Sequence, residues 1–238
     1  MSPWPYPLWI AHRGAGKLAP ENTLAAFRLG AAHGYRAFEC DVKLSADGVP
    51  FLLHDATLDR TTPERGVAGE RTWAELSRID AGGWLNRLWA GEPLPSFAAV
   101  AAYVQRNGFL LDLEIKPTPG TEHATGVAVG ATCRELWRGG TTAPPLLTSF
   151  RPEALQGARE AAPELPRALL LDTLWNGWFD VAQALGCCAV VTNYALMDAA
   201  LIGGLRAAGR RALCYTVNDP AEARRLLALP GGGIDGII

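Results

Sequence analysis

The chain has 238 residues, of which 49% are hydrophobic, and its formal net charge is −2. This length is enough for one large hydrophobic core and is close to the roughly 250 residues of a single α/β barrel. The small net charge excludes a broad basic surface for nucleic acid or anionic membranes, but a local cluster of positive side chains could still bind a small anionic substrate.

The N-terminus and the cysteines predict the compartment. Residues 1–9 contain neither the positive region nor the apolar region of a signal peptide, and no stretch reaches the ~20 apolar residues of a membrane span. The cysteines are odd in number and form no CxxC pair, which is typical of buried thiols in a reducing compartment. They are Cys40, Cys133, Cys187, Cys188 and Cys214. We therefore expect a cytoplasmic protein that does not insert into membranes.

In the first half of the chain, short apolar runs alternate with segments of helical pattern. The predicted strands are residues 8–11, 37–42, 109–115 and 146–149, and the predicted helices are residues 21–33, 97–106 and 122–137. Residues 49–53 predict a further strand, which the turn signal Asp47-Gly48 joins to the second strand as a hairpin. The surrounding stretch, about residues 44–95, has little periodicity beyond a short helix at 73–79, and we interpret it as an insertion.

The second half repeats this alternation with less interruption. The predicted strands are residues 168–171, 189–192, 212–217 and 234–238, and the predicted helices are residues 152–161, 175–185, 197–208 and 220–229. Strands that alternate with helices predict a parallel sheet, and eight parallel strands, with the hairpin arm left aside, predict a closed barrel. No linker divides the chain, so we expect one domain over residues 1–238.

Polar residues cluster where the predicted strands end, which is where the active sites of α/β barrels lie. Because side chains alternate along a strand, the polar residues of two neighbouring strands each share one face. They are Glu39, Asp41 and Lys43 on the second strand, and Asp112, Glu114 and Lys116 on the third. Acidic groups from both strands are therefore expected to converge in the mouth of the barrel.

Inward-facing carboxylates repel one another and lose hydration, which is costly unless a cation lies at their centre. A hard ion such as Mg²⁺ or Ca²⁺ suits carboxylate and water ligands. The same residues are equally consistent with a network of ion pairs, in which each acid is paired with a nearby base such as Arg13, Lys43 or Lys116.

His12 and His54 both lie at strand ends. A pair of imidazoles beside a metal suits general acid–base catalysis near neutral pH. Taken alone, either histidine could equally be a metal ligand or an ordinary strand-end residue. His33 and His123 fall on predicted helices and are expected at the surface. No HxH, HExxH or GxSxG sequence occurs, which argues against zinc sites of those types and against a serine hydrolase.

An ordered set of motifs resembles the glycerophosphodiester phosphodiesterase family nearly from end to end. The motifs are His12-Arg13-Gly14, Ala19-Pro20-Glu21-Asn22-Thr23, Glu39-Cys40-Asp41-Val42, Asp47-Gly48, His54-Asp55, Arg60-Thr61-Thr62, Glu114-Ile115-Lys116-Pro117, Ser149-Phe150 and Tyr215-Thr216-Val217-Asn218. Each motif alone is unspecific, but the ordered set is highly specific. The likeness is greatest to the cytoplasmic bacterial type that is associated with glycerol 3-phosphate uptake.

This resemblance implies a TIM (β/α)8 barrel with a small insertion after the second strand. It implies hydrolysis of glycerophosphodiesters, such as glycerophosphocholine and glycerophosphoethanolamine, to sn-glycerol 3-phosphate and an alcohol. Members of the family usually continue beyond the position of Ile238 with Thr-Asp and a final segment, so the resemblance leads us to expect either a truncated chain or a lost terminal helix.

The resemblance also implies roles for seven residues. Three would hold a divalent cation, Mg²⁺ or Ca²⁺, two would form an acid–base pair, and two would contact phosphate oxygens. In that order they are Glu39, Asp41 and Glu114; His12 and His54; and Arg13 and Lys116.

Three other functions fit part of the pattern. A lysophospholipid phosphodiesterase, similar to the phospholipase C and D barrels, would act on a lipid, although the sequence shows no apolar stripe for a bilayer. A barrel that binds glycerophosphodiesters without catalysis would be expected to lack His12 and His54. A carboxylate–metal sugar isomerase would not require Arg13 beside His12. The expected partner is a small-molecule glycerophosphodiester, and the sequence is compatible with a monomer or a homodimer.

Overall fold

The computed structural model describes residues 4–238, and a sheet of eight strands lies at its centre. The strands are β1 (Ala37–Leu44), β2 (Pro50–Leu52), β3 (Leu110–Ile115), β4 (Leu146–Ser149), β5 (Arg167–Leu171), β6 (Ala189–Asn193), β7 (Arg211–Tyr215) and β8 (Gly236–Ile237). They run in the order β2-β1-β3-β4-β5-β6-β7-β8, and only β1 and β2 pair antiparallel. The prediction that residues 1–9 contain no signal peptide includes residues 1–3, which lie outside the described residues.

A short segment near the N-terminus closes the sheet into a barrel. Trp9 forms a parallel bridge with Ile237 of β8, and Ala11 forms one with Phe38 of β1. With the hairpin arm β2 left aside, eight parallel segments surround one interior, which confirms the predicted TIM barrel. The strand predicted at residues 8–11 is shorter than expected, because only these two bridges represent it.

Helices connect successive strands on the outside of the barrel. They are α1 (Leu24–Ala32), α2 (Trp73–Leu76), α3 (Phe97–Arg106), α4 (Glu122–Leu136), α5 (Pro152–Ala161), α6 (Trp178–Ala184), α7 (Ala199–Ala207) and α8 (Pro220–Leu227). Three of them, α1, α6 and α7, begin later than predicted. Helix α1 begins after Thr23, which caps it by accepting a hydrogen bond from the amide of Ala26. Helix α6 begins after Gly177, whose left-handed backbone (φ 86°) ends the preceding turn.

Side chains alternate along the strands between the outside and the interior of the barrel, as predicted, and so form two separate parts of the core. Cys40 and Val42 of β1, together with Leu113 and Ile115 of β3, point outward into a cluster beneath the helices. The lower interior of the barrel is filled by apolar side chains of several strands, among them Ile10, Ala37, Leu146, Ala168, Leu170, Ala189, Val191 and Leu213. The polar side chains of β1 and β3 are thereby left for the upper layers, near the mouth.

The insertion follows the second barrel strand, as predicted, and occupies residues 45–96 between β1 and α3. It contains β2, α2 and two single turns of 3-10 helix. Its apolar side chains form a small core of their own: Phe51, Leu53, Leu58, Ala68, Leu76, Ile79, Ala81 and Leu94. That the whole chain forms one domain stays a prediction.

The five cysteines are free thiols. Four are buried, as predicted, whereas Cys188 is only half-buried because it lies at the edge of the interior core, just before β6. In the part of the chain from residue 4 to residue 238, no helix combines the length and the hydropathy that crossing a membrane requires.

Candidate active site

Three carboxylates meet at the mouth of the barrel. Glu39 and Asp41 face inward from β1, and the parallel pairing of β1 with β3 sets Asp41 beside Glu114. One oxygen of each carboxylate lies within 4.8 Å of the others, and all three side chains are buried. The structure thus brings together the three residues that were predicted as metal ligands. We call them the carboxylate cluster.

The turn after the first barrel segment positions Arg13. Arg13 has a positive φ of 51°, and its amide donates a hydrogen bond to Oε2 of Glu39 (2.9 Å). Gly14 follows with φ 94°, and a Cβ at this position would lie 2.8 Å from the Cβ of Ala26 in α1. Only glycine fits this close approach to the helix. The His12-Arg13-Gly14 motif therefore packs on α1 and holds Arg13 against the carboxylate cluster.

Asn22 orients Asp41. Its Nδ2 donates to Oδ2 of Asp41 (2.8 Å), while its Oδ1 accepts a hydrogen bond from the amide of Asp41 (3.0 Å). The other carboxylate oxygen of Asp41, Oδ1, is buried and has no hydrogen-bond partner among the described residues. Buried polar atoms in proteins are normally paired, so an unpaired carboxylate oxygen inside an acidic cluster fits a cation ligand.

Two cationic side chains border the carboxylate cluster. Arg13 Nε lies 3.4 Å from Oδ2 of Asp41, and its Nη1 lies 2.9 Å from Oε1 of Glu21. Lys116 Nζ lies 2.7 Å from Oε1 of Glu114 and 3.9 Å from Oδ1 of Asp41. Both predicted phosphate-binding residues are therefore at the site, with their charges next to the predicted metal ligands.

The alternative of a closed ion-pair network does not account for the whole cluster. Lys43 donates its hydrogen bond to the backbone carbonyl of Lys116 (2.8 Å) and not to a carboxylate. Within the described chain, Glu39 has only His12 at ion-pair distance, with Nε2 at 3.7 Å. Burial, reinforced by the charge of Asp41, raises the pKa of Glu39 well above its usual range.

Of the other two carboxylates, Glu114 shows the same excess of negative charge, whereas Asp41 does not. Burial and the charge of the neighbouring Asp41, against the effect of Lys116, together raise the pKa of Glu114 to about 7. Burial also acts to raise the pKa of Asp41, but Arg13 and His54 outweigh it, and the pKa is lowered. A divalent cation would neutralise this excess, and oxygen ligands of this kind suit Mg²⁺ and Ca²⁺.

The two predicted catalytic histidines share one cavity. His12 and His54 line a space of about 280 Å³ together with Arg13 and Glu114. Burial, and then the charge of Arg13, lowers the pKa of His12 to about 4. Burial also lowers the pKa of His54, whose Nδ1 lies 2.6 Å from Oδ1 of Asp55. In the protein alone, burial therefore favours the neutral form of both imidazoles.

A second cavity, of about 530 Å³, adjoins the first. The two share the lining residues Glu114, Lys116, Phe150 and Leu170. The smaller cavity, which we call the deep pocket, extends to the buried side chains of Asp112 and Thr148. The larger one, which we call the outer cleft, is lined by the exposed residues Arg151, Asp172 and Trp175.

The structure adds residues to the site for which the sequence predicted no role. Arg60 joins two motifs, because its Nη1 donates to Oε2 of Glu21 (2.8 Å) and its Nε donates to Oδ2 of Asp55 (2.7 Å). Glu21 also accepts from Arg13, and Asp55 accepts from His54 in the corresponding tautomer. The motifs that contain these residues were visible in the sequence, but their contacts were not.

The sequence agrees with a known family over nearly the whole chain. The Glycerophosphoryl diester phosphodiesterase family matches residues 12–238, a range that includes every residue predicted for the site. A glycerophosphodiester phosphodiesterase of Caldanaerobacter subterraneus subsp. tengcongensis is 30% identical over 236 residues, which cover 97% of this chain and 93% of that protein.

Solved structures of similar proteins indicate the same family. A phosphodiesterase of Oleispira antarctica, in complex with the product sn-glycerol-3-phosphate, superposes with a TM-score of 0.88 at 32% identity, over 98% of this chain and 92% of that one. A glycerophosphodiester phosphodiesterase of Agrobacterium tumefaciens gives a TM-score of 0.80 at 29% identity, over 98% and 95% of the two chains. The chain therefore belongs to the glycerophosphoryl diester phosphodiesterase family.

Proposed function

We propose that the chain hydrolyses glycerophosphodiesters, such as glycerophosphocholine and glycerophosphoethanolamine, to sn-glycerol 3-phosphate and an alcohol, with Mg²⁺ or Ca²⁺ at the carboxylate cluster. The observation that carries this proposal is the convergence of three buried carboxylates within 4.8 Å, beside a pocket that contains two histidines. The similar phosphodiesterase of Oleispira antarctica has sn-glycerol-3-phosphate as its product, which supports the same product here.

In the proposed reaction, Arg13 and Lys116 bind the non-bridging oxygens of the phosphate and offset the charge that builds on them in the transition state. Their positions beside Asp41 and Glu114 support this role. A divalent cation held by the carboxylate cluster would supply further charge stabilisation at the same oxygens. Glu21 accepts a hydrogen bond from Nη1 of Arg13 and thereby fixes the position of the guanidinium.

His12 and His54 act as the acid–base pair in this proposal. One imidazole takes the proton of the nucleophile, and the other donates a proton to the oxygen of the departing alcohol. The short contact between His54 Nδ1 and Asp55 fixes the ring and leaves Nε2 for the substrate. The nucleophile is either water or the glycerol 2-hydroxyl, which would form a cyclic phosphate that water then opens. A phosphorothioate substrate separates these routes, because only the second yields a cyclic product.

The proposed setting is the cytoplasm, as in the bacterial enzymes that the motifs resemble. The five free thiols support a reducing compartment. The proposed partner is a small molecule, since a headgroup such as choline or ethanolamine fits within an outer cleft of about 530 Å³.

A coupled assay for sn-glycerol 3-phosphate tests the proposal. We expect the protein to release it from glycerophosphocholine or glycerophosphoethanolamine, to lose this activity in EDTA, and to regain it with Mg²⁺ or Ca²⁺. The variant Glu39→Gln should stay inactive when metal is returned, because it lacks one charged ligand. Glu135→Gln, at the exposed end of α4, is the matched control and should behave as the wild type.

Two outcomes would contradict the proposal in different ways. Full activity in EDTA would remove the cation from the reaction. Faster hydrolysis of lysophosphatidylcholine than of glycerophosphocholine would instead replace the proposed substrate by a lysophospholipid.

A further inference from the structure

We propose that Asp112 binds a hydroxyl group of the substrate's glycerol moiety at the floor of the deep pocket. This inference rests on the proposed function and adds a specificity-determining residue to it.

Asp112 is a buried carboxylate that the proposed reaction does not use. The residue is 1% exposed, and Thr148 donates a hydrogen bond to its Oδ1 (3.1 Å). The second oxygen, Oδ2, is buried and has no hydrogen-bond partner in the described part of the chain. An unsatisfied buried carboxylate oxygen is costly, and a ligand that donates a hydrogen bond would remove that cost.

The position of Asp112 in β3 places it one inward-facing position below Glu114 and beside Glu39, its partner in the parallel pairing with β1. It precedes Glu114 by two residues, so both side chains face the interior, and Asp112 lies about 6.6 Å further from the mouth along the strand. The deep pocket reaches both residues. A phosphate bound at the carboxylate cluster can therefore extend a short carbon chain down to Asp112.

The lining of the deep pocket favours a hydroxyl donor over an anion. The carboxylate of Asp112 accepts hydrogen bonds and repels negative charge, and the hydroxyl of Thr148 keeps lone pairs for a second donor. Leu170 and Ile238 line the same pocket and provide apolar contacts. Glycerol matches this lining, because its hydroxyls donate hydrogen bonds while its carbon atoms pack against the apolar residues.

The outer cleft suits the other half of the substrate. Glycerol is common to all glycerophosphodiesters, whereas the alcohol varies in size and charge. The cleft has about 530 Å³ against about 280 Å³ for the deep pocket, and its side chains Arg151, Asp172 and Trp175 are exposed. The constant part of the substrate therefore fits the smaller buried pocket, and the variable part fits the larger open one.

Isothermal titration calorimetry on the metal-loaded protein tests the role of Asp112. The two ligands are sn-glycerol 3-phosphate and n-propyl phosphate, which has the same phosphate and carbon chain but no hydroxyls. We expect the wild type to bind the first about 10- to 100-fold more tightly, as for hydrogen bonds to a charged group. Asp112→Leu should remove most of this ratio. The ratio is the readout, because the loss of a negative charge strengthens the binding of both phosphates alike.

Two further variants complete the design. Asp112→Asn keeps a neutral acceptor and should retain part of the ratio, and it decides the question if Asp112→Leu does not fold. Asp180→Asn changes an exposed carboxylate of α6 that is not among the lining residues of either cavity, and it should leave the ratio at the wild-type value.

An undiminished ratio in both Asp112 variants would overturn the proposal. So would a wild type without preference between the ligands, or an equal weakening of both ligands in the variants, which would place Asp112 at the phosphate or the cation. These measurements need no turnover. Failure of the wild type to hydrolyse glycerophosphodiesters is therefore a separate result, which would refute the proposed function.

Discussion

Arg13 and Asn22 are the non-glycine residues with positive φ between residues 4 and 238, and both contact the carboxylate cluster. A left-handed backbone costs of order 1–3 kcal/mol for such residues, so it persists only where the surrounding structure holds it. Here it directs the amide of Arg13 to Glu39 and the amide group of Asn22 to Asp41. At the scale of single residues, the backbone is thus shaped to hold two of the three carboxylates.

The two histidines of the deep pocket should be needed for turnover and not for folding. We expect His12→Ala and His54→Ala each to reduce kcat by about 10² to 10⁴, the usual contribution of acid–base catalysis. The melting temperature should change little, because both side chains line a cavity at the mouth and neither belongs to an apolar core cluster. Steady-state kinetics and thermal unfolding measure the two effects.

His123→Ala is the matched control for these variants. It makes the same truncation on the exposed face of α4, where the imidazole contacts only Glu160 among the described residues. Its kcat should equal that of the wild type. Full activity in His12→Ala or His54→Ala would remove that histidine from the mechanism.

At the scale of elements, helices α4 and α5 pack closely against each other because glycine residues lie at their contact. Gly126 and Gly130 of α4 face the backbone of Ala154 and Ala158 in α5, and a Cβ on Gly130 would lie 2.9 Å from the carbonyl oxygen of Ala158. Glycine inside a helix costs about 0.5–1 kcal/mol relative to alanine. The close packing of the two helices over β3 and β4 offsets this cost, because it needs backbone surfaces without side chains.

Gly126→Ala should therefore destabilise the protein even though alanine is the better helix former. The added Cβ would collide with the carbonyl group of Ala154, and overpacking of this kind costs about 1–3 kcal/mol. Gly203→Ala in α7 is the matched control: a Cβ there meets no atom within 4 Å, so we expect stabilisation by up to about 1 kcal/mol. Chemical denaturation measures both. A change of the same sign in the two variants would refute this account of the helix packing.

At the scale of the whole molecule, the buried acids make the stability of the protein depend on pH and on the binding of a metal ion. Burial raises the pKa of Asp112 and of Glu114 to about 7, against ordinary values of 3.8 and 4.5. Between the ordinary and the raised pKa, the folded state binds more protons than the unfolded state. The contribution of these two groups to the free energy of unfolding of the metal-free protein is therefore full below the ordinary pKa values and is lost as pH rises through about 7.

A divalent cation should stabilise the protein more at high pH than at low pH. Protons compete with the cation for the carboxylates, so the gain in melting temperature on adding Mg²⁺ or Ca²⁺ should increase from about pH 5 to about pH 8. Calorimetry with EDTA or with metal at each pH measures this gain. Glu39→Gln should show little gain at either pH. A gain that is larger at the lower pH would contradict the assignment of the cation to the carboxylate cluster.

Much of the fold and part of the site could be predicted from local pattern. The bounds of α3, α5 and β4 agree with the prediction at both ends, because their periodicity and capping residues are local signals. The inward faces of β1 and β3 followed from alternation, and parallel pairing then sets Asp41 beside Glu114. The start of α1 was predicted too early, because residues 21–22 bind the site instead of continuing the helix.

The sequence by itself determined the barrel, the ordered motifs and the identity of the acids and bases at the mouth, since these depend on periodicity and on residue order. Only the tertiary structure decided which groups are paired. Asn22 reaches Asp41 across 19 positions, Arg60 reaches Glu21 across 39, and Thr148 reaches only one oxygen of Asp112 across 36. Such contacts depend on how the strands and loops close around one another, so the two unpaired carboxylate oxygens, on Asp41 and Asp112, became visible only in the folded chain.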